Sequence, residues 1–439
     1  MENSVTDLAR LEDFFKSYED TTWEARQHSE RARDYYDGKQ LTDTEIETLK
    51  RRGQPPVVFN RIRRKIEWLK GLEVKQRTDP KAFPRTPQHT EGAESVTDAL
   101  RFVCDNADWD MHRSNVYDNM LVEGFGGCEI VHEENARGQI EVVVNHYPWD
   151  RLFYDPHSRK PDFSDARFRG VVMWMDEADF LEQHKGAKSH LEALCSSESG
   201  TETFDDRPQK FWVDPARKRV RVFLMWYRDS GGWKWCKFVK GHKLEGGESP
   251  YVDEDGRSVC PLIMQSAFVD RDNNRYGIVR DMIDPQDEIN KRRSRALFGI
   301  TARQTISVKG ALENPEHMKA ELSKLDGNVE IALEAFEEAA RVGMKPFEIV
   351  NTNDRVSGDM AMLEDAKNEI DLLGANSALA GETGESASGR AVLARQQGGM
   401  IDHKRMSVKA RAGSCPQRPN PHCTTRPSWT WWTSLSSSV

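Results

Sequence analysis

One stretch of the chain, residues 267–304, does most to limit how it can fold. An apolar strand ends in a polar turn, and the residues that follow have the spacing of a long helix that carries acids first and bases last. Asp284 is placed to cap this helix, and Pro285 suits its first turn, where a missing N–H has no cost. The order of charges complements the helix dipole. The stretch therefore predicts a strand, a turn and a rod-like helix over residues 278–304.

The basic run of this helix is the first candidate site. Four bases lie within five positions, and they cannot all point the same way on a helix with 3.6 residues per turn. We expect some of these bases to form ion pairs with acids of a neighbouring subunit. A solvated face, which is what most charge runs are, and contact of one or two bases with DNA are the alternatives, which the sequence leaves open. The four residues are Lys291, Arg292, Arg293 and Arg295.

Charge and composition limit the class of protein. A formal net charge of −9 argues against a protein that grips DNA by neutralising many phosphates, but it is compatible with a channel through which DNA slides. Hydrophobic residues make up 37% of the chain and charged residues 31%, which is typical of a soluble protein with much polar or interfacial surface. No apolar run approaches the roughly 20 residues that span a bilayer, so no membrane partner is predicted. Seven cysteines without a C-x-x-C pair indicate reduced thiols.

The first 277 residues change from helical to strand-rich. Residues 1–126 have helical periodicity, with a capping box at residues 42–45 and a second helix capped by Asn60. Residues 127–277 contain short alternating strands, beginning with a hairpin that turns at residues 135–138. We therefore predict an α+β fold.

The second half of the chain contains another predicted long helix. Residues 305–352 mix short helices and strands, and residues 353–375 carry a broken apolar stripe typical of a second long helix. A loop of small and polar residues follows at 376–389, and residues 390–403 are again helical. The predicted order is helix, compact insert, helix, polar loop and helix.

The tail, residues 404–439, has a different composition. After Asp402 no acidic residue appears, and Pro, Cys, Trp and Ser are brought together. We interpret this tail as frameshifted or otherwise foreign, so that the C-terminal part is truncated. A natural disordered tail is the alternative.

Motifs for enzymatic chemistry are not met. No G-x-x-x-x-G-K-[ST] loop is present to hold nucleotide phosphates, and the histidines lack zinc-like spacing. The acidic turn at residues 270–274 resembles a calcium loop, but Arg275 occupies the place where glycine is needed for the sharp turn. We therefore interpret it as a β-turn that leads into a helix, and predict no enzyme activity, cofactor or metal. A nucleic-acid processing enzyme or adaptor that binds metal at this turn is the alternative function.

Four stretches resemble P22-like phage portal proteins, the ring-shaped connectors through which double-stranded DNA enters and leaves a virus head. They are residues 267–304, YYDGKQL followed by RGQPPVVFNRIRRKIEWLKG, YPWDRLFYDPHSR at residues 147–159, and residues 386–400. The resemblance implies a helical N-terminal part and a strand-rich wing. It further implies two stem helices that flank a small α/β clip, a tunnel-like loop at residues 376–389 and a helix towards a crown.

The same resemblance implies the function and the partners. The chain would form a ring with copies of itself, a dodecamer, as a channel for packaging and ejection of double-stranded DNA and a platform for head–tail joining. Its other partners would be terminase, capsid and scaffolding proteins and tail adaptors, at a capsid vertex of the virion after assembly in the host cytoplasm. Glu382, Glu385 and Arg390 in and beside the polar loop join the four bases as candidates for DNA-channel or subunit contacts.

Overall fold

The computed structural model describes residues 2–75, 77, 79–84, 90–135, 137–189, 191, 213–214, 219–230, 232–253, 256–301, 304–307, 333–343, 347–350, 353–372 and 418–419. They belong to two compact units, of which the first comprises residues 1–33, 66–280 and 393–439, and the second residues 34–65 and 281–392. Both helices and strands are well represented, which confirms the α+β class.

The elements follow one another along the chain. The helices are α1 (Glu2–Thr21), α2 (Trp23–Asp37), α3 (Asp43–Arg51), α4 (Arg61–Lys75), α5 (Thr90–Asn106), α6 (Trp109–Val122), α7 (Glu177–Gln183), α8 (Ile283–Thr301), α9 (Leu333–Val342) and α10 (Asn353–Leu372). The strands are β1 (Phe125–Glu134), β2 (Ile140–Tyr147), β3 (Leu152–Tyr154), β4 (Phe168–Asp176), β5 (Val213–Asp214), β6 (Arg219–Asp229), β7 (Gly232–Val239), β8 (His242–Glu248), β9 (Tyr251–Val252), β10 (Leu262–Ser266), β11 (Phe268–Val269), β12 (Arg275–Tyr276), β13 (Gln304–Ser307), β14 (Phe347–Val350) and β15 (Arg418–Pro419).

The first unit is built on two antiparallel sheets. One has the strand order β10-β1-β2, and the other β3-β4-β6-β7-β8, with β5 added beside β6. The hairpin predicted at residues 135–138 is the turn between β1 and β2. Strand β1 begins at Phe125, two residues before the predicted change to strands at Gly127. Gly126 lies close against α6, since a Cβ there would lie 2.9 Å from the carbonyl oxygen of Val116.

Aromatic packing joins α1 to the larger sheet. Leu8, Leu11, Phe15 and Tyr18 recur at helical spacing and are all buried. The ring centroid of Phe15 lies 4.5 Å from that of Phe223 in an edge-on arrangement, which is favourable for aromatic pairs. The short apolar stripe of a mostly polar helix thus supplies one side of the main core.

Backbone hydrogen bonds join residues 267–278 to the end of α6 and the turn after it. The Ile278 N–H donates to the Leu121 carbonyl oxygen at 2.9 Å, and the Ala267 N–H donates to the Gly124 carbonyl oxygen at 2.8 Å. Gly124 has φ +104°, and a Cβ there would lie 2.3 Å from the backbone of Tyr276. This crossing therefore requires glycine.

Several predicted helix ends are confirmed and one is wrong. Thr42 forms the capping box with Glu45, and the Asn60 side chain accepts from the Arg63 N–H at 2.9 Å. Asp284 does not cap the long helix: a 3-10 turn, Arg280–Met282, runs directly into α8, which begins at Ile283. Asp284 therefore lies in the first turn, where its charge still complements the dipole.

The second unit contains the two long helices. Arg292 of α8 lies beside Asp359 of α10, and the earlier Ile289 packs with the later Leu363, so the helices run antiparallel. At the far end of this helix pair, β13 and β14 form an antiparallel ladder. The predicted second stem helix is confirmed as a helix, and most of the predicted clip, residues 305–352, lies outside the described residues.

Candidate functional site: the helix pair and its strap

The helix pair, α8 and α10, meets through a small apolar seam. Ile289, Leu363, Ala366 and Ile370 are each at most 3% exposed and pack as one cluster. Arg292 closes the seam with a 3.0 Å contact to Asp359 and a 2.9 Å contact to Glu288. Arg292 donates hydrogen bonds to Asp359 and to Glu288, and these bonds, first the one to Asp359, raise the pKa of Arg292. Because both of these partners belong to its own chain, this base stabilises the pair.

The other bases of the run lie on different faces of α8. Arg293 places its guanidinium over the ring of Phe59, 4.9 Å from the centroid. Lys291 and Arg295 are exposed. They belong to an open groove along the helix lined by charged side chains only, namely Asp284, Asp287, Glu288, Lys291, Arg292 and Arg295. The structure thus separates one internally paired base and one stacked base from two that are available to a partner.

A buried polar stripe occupies another face of α8. Gln286, Asn290 and Ser294 follow one another at intervals of four residues and are each at most 2% exposed. They hold an extended segment, residues 54–60, which we call the strap. Buried amide and hydroxyl groups must be hydrogen-bonded to be tolerated, and the strap backbone supplies the partners.

The strap is hydrogen-bonded to this stripe near both of its ends. The Ser294 hydroxyl donates to the Pro55 carbonyl oxygen at 2.7 Å, and the Gln286 side chain donates to the Phe59 carbonyl oxygen at 2.7 Å. In return, the Phe59 N–H donates to Asn290 Oδ1 at 3.0 Å. The Arg61 N–H, just past the strap, donates to Gln286 Oε1 at 3.1 Å. The strap therefore lies along α8 in the opposite chain direction.

A second layer of side chains extends this network. Asn290 donates to Gln40 Oε1 at 2.7 Å, and Gln40 donates to the Tyr35 carbonyl oxygen at 2.9 Å. The Tyr35 hydroxyl donates to Asp287 Oδ1 at 2.6 Å. Asn60 also donates to the Tyr36 carbonyl oxygen at 2.8 Å, so this residue both caps α4 and fixes the end of the strap. Sequence reasoning missed the network, although the spacing of Gln286, Asn290 and Ser294 was a usable signal.

The acidic turn at residues 270–274 is the loop of a β-hairpin. Asp270 Oδ1 accepts from the Asp272 and Asn274 N–H groups at 2.9 and 2.8 Å. The turn joins β11 to β12, so the prediction that it leads into a helix is wrong, because Val269 pairs with Arg275 across it. The Arg275 side chain is buried and donates to the Ser158 carbonyl oxygen at 2.7 Å. Among the described residues, no group of three His, Cys, Asp or Glu side chains is arranged to hold a metal ion.

The remaining candidates cannot be placed. Glu382, Glu385 and Arg390 lie outside the described residues, as do the predicted loop 376–389, the helix 390–403 and nearly all of the tail. Of the tail, Arg418–Pro419 forms a two-residue strand beside β9. In the part of the chain that is described, every helix is too short or too polar to cross a membrane.

Comparison with known proteins gives two findings. The model of the phage P22-like portal protein family matches residues 12–403, which includes parts of both units. A portal protein of Helicobacter pylori bacteriophage KHP30 is 18% identical over 272 residues, or 60% of this chain and 41% of that protein. The chain thus spans less than half the length of this curated relative. A family match over most of the sequence is decisive, and this chain belongs to the phage P22-like portal protein family.

Proposed function

We propose that this chain is a portal subunit that assembles with copies of itself into a ring around a channel for double-stranded DNA. The observation that carries the proposal is the family match over residues 12–403. The antiparallel helix pair supports it, because a long rigid element with charged outer faces suits repeated side-by-side packing. The ring would conduct DNA during packaging and ejection and serve as the platform for head–tail joining.

The parts of the chain take the following roles in this proposal. Residues 1–277 form the wing, first helical and then strand-rich, except for residues 34–65, which belong to the compact unit of the stem helices α8 and α10. The β13–β14 ladder marks the base of the clip, with α9 inside the clip segment. Residues 376–389 form the tunnel loop, residues 390–403 lead towards the crown, and residues 404–439 are a foreign tail.

In this proposal, charged side chains of the stem helices form the contacts between neighbouring subunits. Lys291 and Arg295 on α8 are exposed, and α10 exposes the acids Asp365 and Glu369. Bases on one subunit and acids on the next can form ion pairs that fix the register of neighbours. Arg292 is paired internally and holds the two stem helices together. In this proposal the subunit forms part of the pore wall and carries out no reaction, since a rigid pore needs no catalytic group.

The partners follow from the same assignment. We propose a dodecamer at one capsid vertex of the virion, assembled in the host cytoplasm. Terminase would dock during packaging, scaffolding and capsid proteins would contact the ring during head assembly, and tail adaptors would join it afterwards. Glu382, Glu385 and Arg390 are proposed to face the channel or a neighbouring subunit.

Negative-stain electron microscopy of the purified full-length chain tests the assembly. Rings with a central hole support the proposal. A matched sample truncated after residue 403 controls for interference by the tail. If neither protein forms rings, with or without purified scaffolding protein, the proposal is wrong.

A further inference from the structure

A second basic segment lies outside the run on α8. From residue 50 to residue 65 the chain carries seven bases and no acid, within a chain whose formal net charge is −9. We call these residues the basic ridge: Lys50, Arg51, Arg52, Arg61, Arg63, Arg64 and Lys65. They flank the strap on both sides, at the end of α3 and at the start of α4.

Four of the seven ridge bases form no ion pair within the part of the chain that the structure describes. Arg61 lies 3.6 Å from Asp371, and Lys65 donates to the Asp371 carbonyl oxygen at 2.9 Å. Lys50, Arg51, Arg52 and Arg63 are exposed, and none of these four forms an ion pair with any residue that the structure describes. Their charge is therefore available to a partner.

The ridge bases lie on either side of the strap, whose backbone is hydrogen-bonded to α8. The strap is fixed to Gln286, Asn290 and Ser294, and its two ends pass into helices through the Arg52 C-cap and the Asn60 N-cap. From Ser294, opposite Pro55, to Gln286, opposite Arg61, α8 rises by about 12 Å at 1.5 Å per residue. That rise equals three to four phosphate steps of one strand of duplex DNA, at about 3.4 Å each.

Helix stability does not explain the position of these bases. Lys50 and Arg51 at the end of α3 complement its dipole, but the first turn of α4 contains bases and no acid. Cations at the start of a helix are unfavourable. Bases in the first turn of α4 therefore indicate a function other than helix stability. Arginine guanidinium groups match phosphate oxygens in geometry.

We propose that the basic ridge binds the phosphate backbone of double-stranded DNA, without regard to sequence. The inference rests on the proposed function, since it takes the cargo of the channel as the occupant of this surface. An acidic protein surface fits less well, because protein interfaces have an apolar core, whereas exposed bases outnumber exposed apolar side chains in this segment. Phe59, the aromatic side chain of the segment, is 43% exposed and has Arg293 over one face.

The test is DNA binding by the full-length protein. Fluorescence anisotropy with a labelled 30-base-pair duplex is measured between about 50 and 200 mM salt for the wild type and for the variant R51E/R52E/R63E. Because each phosphate contact contributes about 0.9 to the salt slope, the variant should lose about 2 to 3 from that slope. Its Kd at about 100 mM salt should rise at least tenfold.

A control with the same change of charge isolates the ridge. The variant K16E/K75E/K188E reverses three exposed bases elsewhere, and its Kd should stay within threefold of the wild type. If R51E/R52E/R63E does not fold, as judged by circular dichroism, R51Q/R52Q/R63Q replaces it, with a smaller increase in Kd expected.

Three results would overturn the inference. They are wild-type binding by the ridge variant, no binding of duplex by the wild type at low salt, and displacement of DNA by polyglutamate at equal charge concentration, which would favour an acidic protein partner. Negative-stain images of the same samples keep the two proposals separate. Rings from the ridge variant leave the proposed function intact whatever the DNA result. Absence of rings from both the wild type and the protein truncated after residue 403, with or without scaffolding protein, refutes the proposed function, whereas the anisotropy measurement by itself decides whether the ridge binds duplex DNA.

Discussion

Asn290 connects the strap to Gln40, and Asn290→Ala should loosen the strap at Phe59. The substitution removes the acceptor of the Phe59 N–H and the donor to Gln40 Oε1. A buried polar group left without a partner costs about 1–3 kcal/mol. Phe59 is 43% exposed, so its amide should cost about 1 kcal/mol, whereas Gln40 is 4% exposed and should cost up to about 3 kcal/mol.

The sum, about 2–4 kcal/mol, predicts the size of the effect on local opening. Since 1.4 kcal/mol is a factor of ten, the Phe59 amide should exchange with solvent about 30-fold to several hundred-fold faster. Hydrogen exchange read by mass spectrometry at single residues is the right assay, because a chain with two units need not unfold in one step. The measurement reports the strap directly.

Two further variants decide whether the reasoning is correct. Lys291→Ala changes the neighbouring but exposed residue and should leave Phe59 exchange within threefold of the wild type. Combining Gln40→Met with Asn290→Leu removes two hydrogen-bonding partners together and should cost less than the sum of the single changes. If Asn290→Ala exchanges like the wild type, the hydrogen-bonded strap is refuted.

Three other outcomes are expected. Burial lowers the pKa of His146 to about 4, so the unfolded chain binds a proton that the folded protein does not between about pH 6.5 and 4; the thermal midpoint should fall as pH drops through this window, and His146→Gln should flatten the change. Gly124→Ala should destabilise the protein by at least about 2 kcal/mol in urea unfolding because its Cβ would meet the Tyr276 backbone, whereas Gly71→Ala, with open space around it in α4, should stabilise by about 0.5–1 kcal/mol. Sequencing of the coding DNA beyond residue 403 should find an amphipathic helix in an adjacent frame, and its absence from both other frames would reject the foreign-tail interpretation.

Local signals in the sequence were sufficient for many elements. The capping box at Thr42 and the cap at Asn60 depend on residues three apart, so their geometry follows from a few neighbouring side chains. The hairpin between β1 and β2 and the two long helices were likewise predictable from periodicity. The start of α8 was not, because a 3-10 turn, Arg280–Met282, runs directly into the helix and leaves Asp284 inside its first turn.

The features that the sequence did not predict depend on contacts between residues far apart in the chain. Arg292 and Asp359 are 67 positions apart, so local spacing shows the i,i+4 pair of Arg292 with Glu288 but not the ion pair that joins the two long helices. The strap shows the same limit: its partners Gln286 and Asn290 lie more than 220 residues further along the chain. The buried Arg275 was judged only as a poor calcium-loop residue, because its partner carbonyl groups come from another part of the fold.

A cryo-electron microscopy map of the assembled full-length protein tests the central claim most directly. We predict a ring in which α8 and α10 of every copy lie beside a central hole wide enough for a DNA duplex, with Lys291 and Arg295 at the hole or at the next copy. A map in which the helix pair lies at the outer rim, or in which the particles are closed assemblies without a hole, would contradict it.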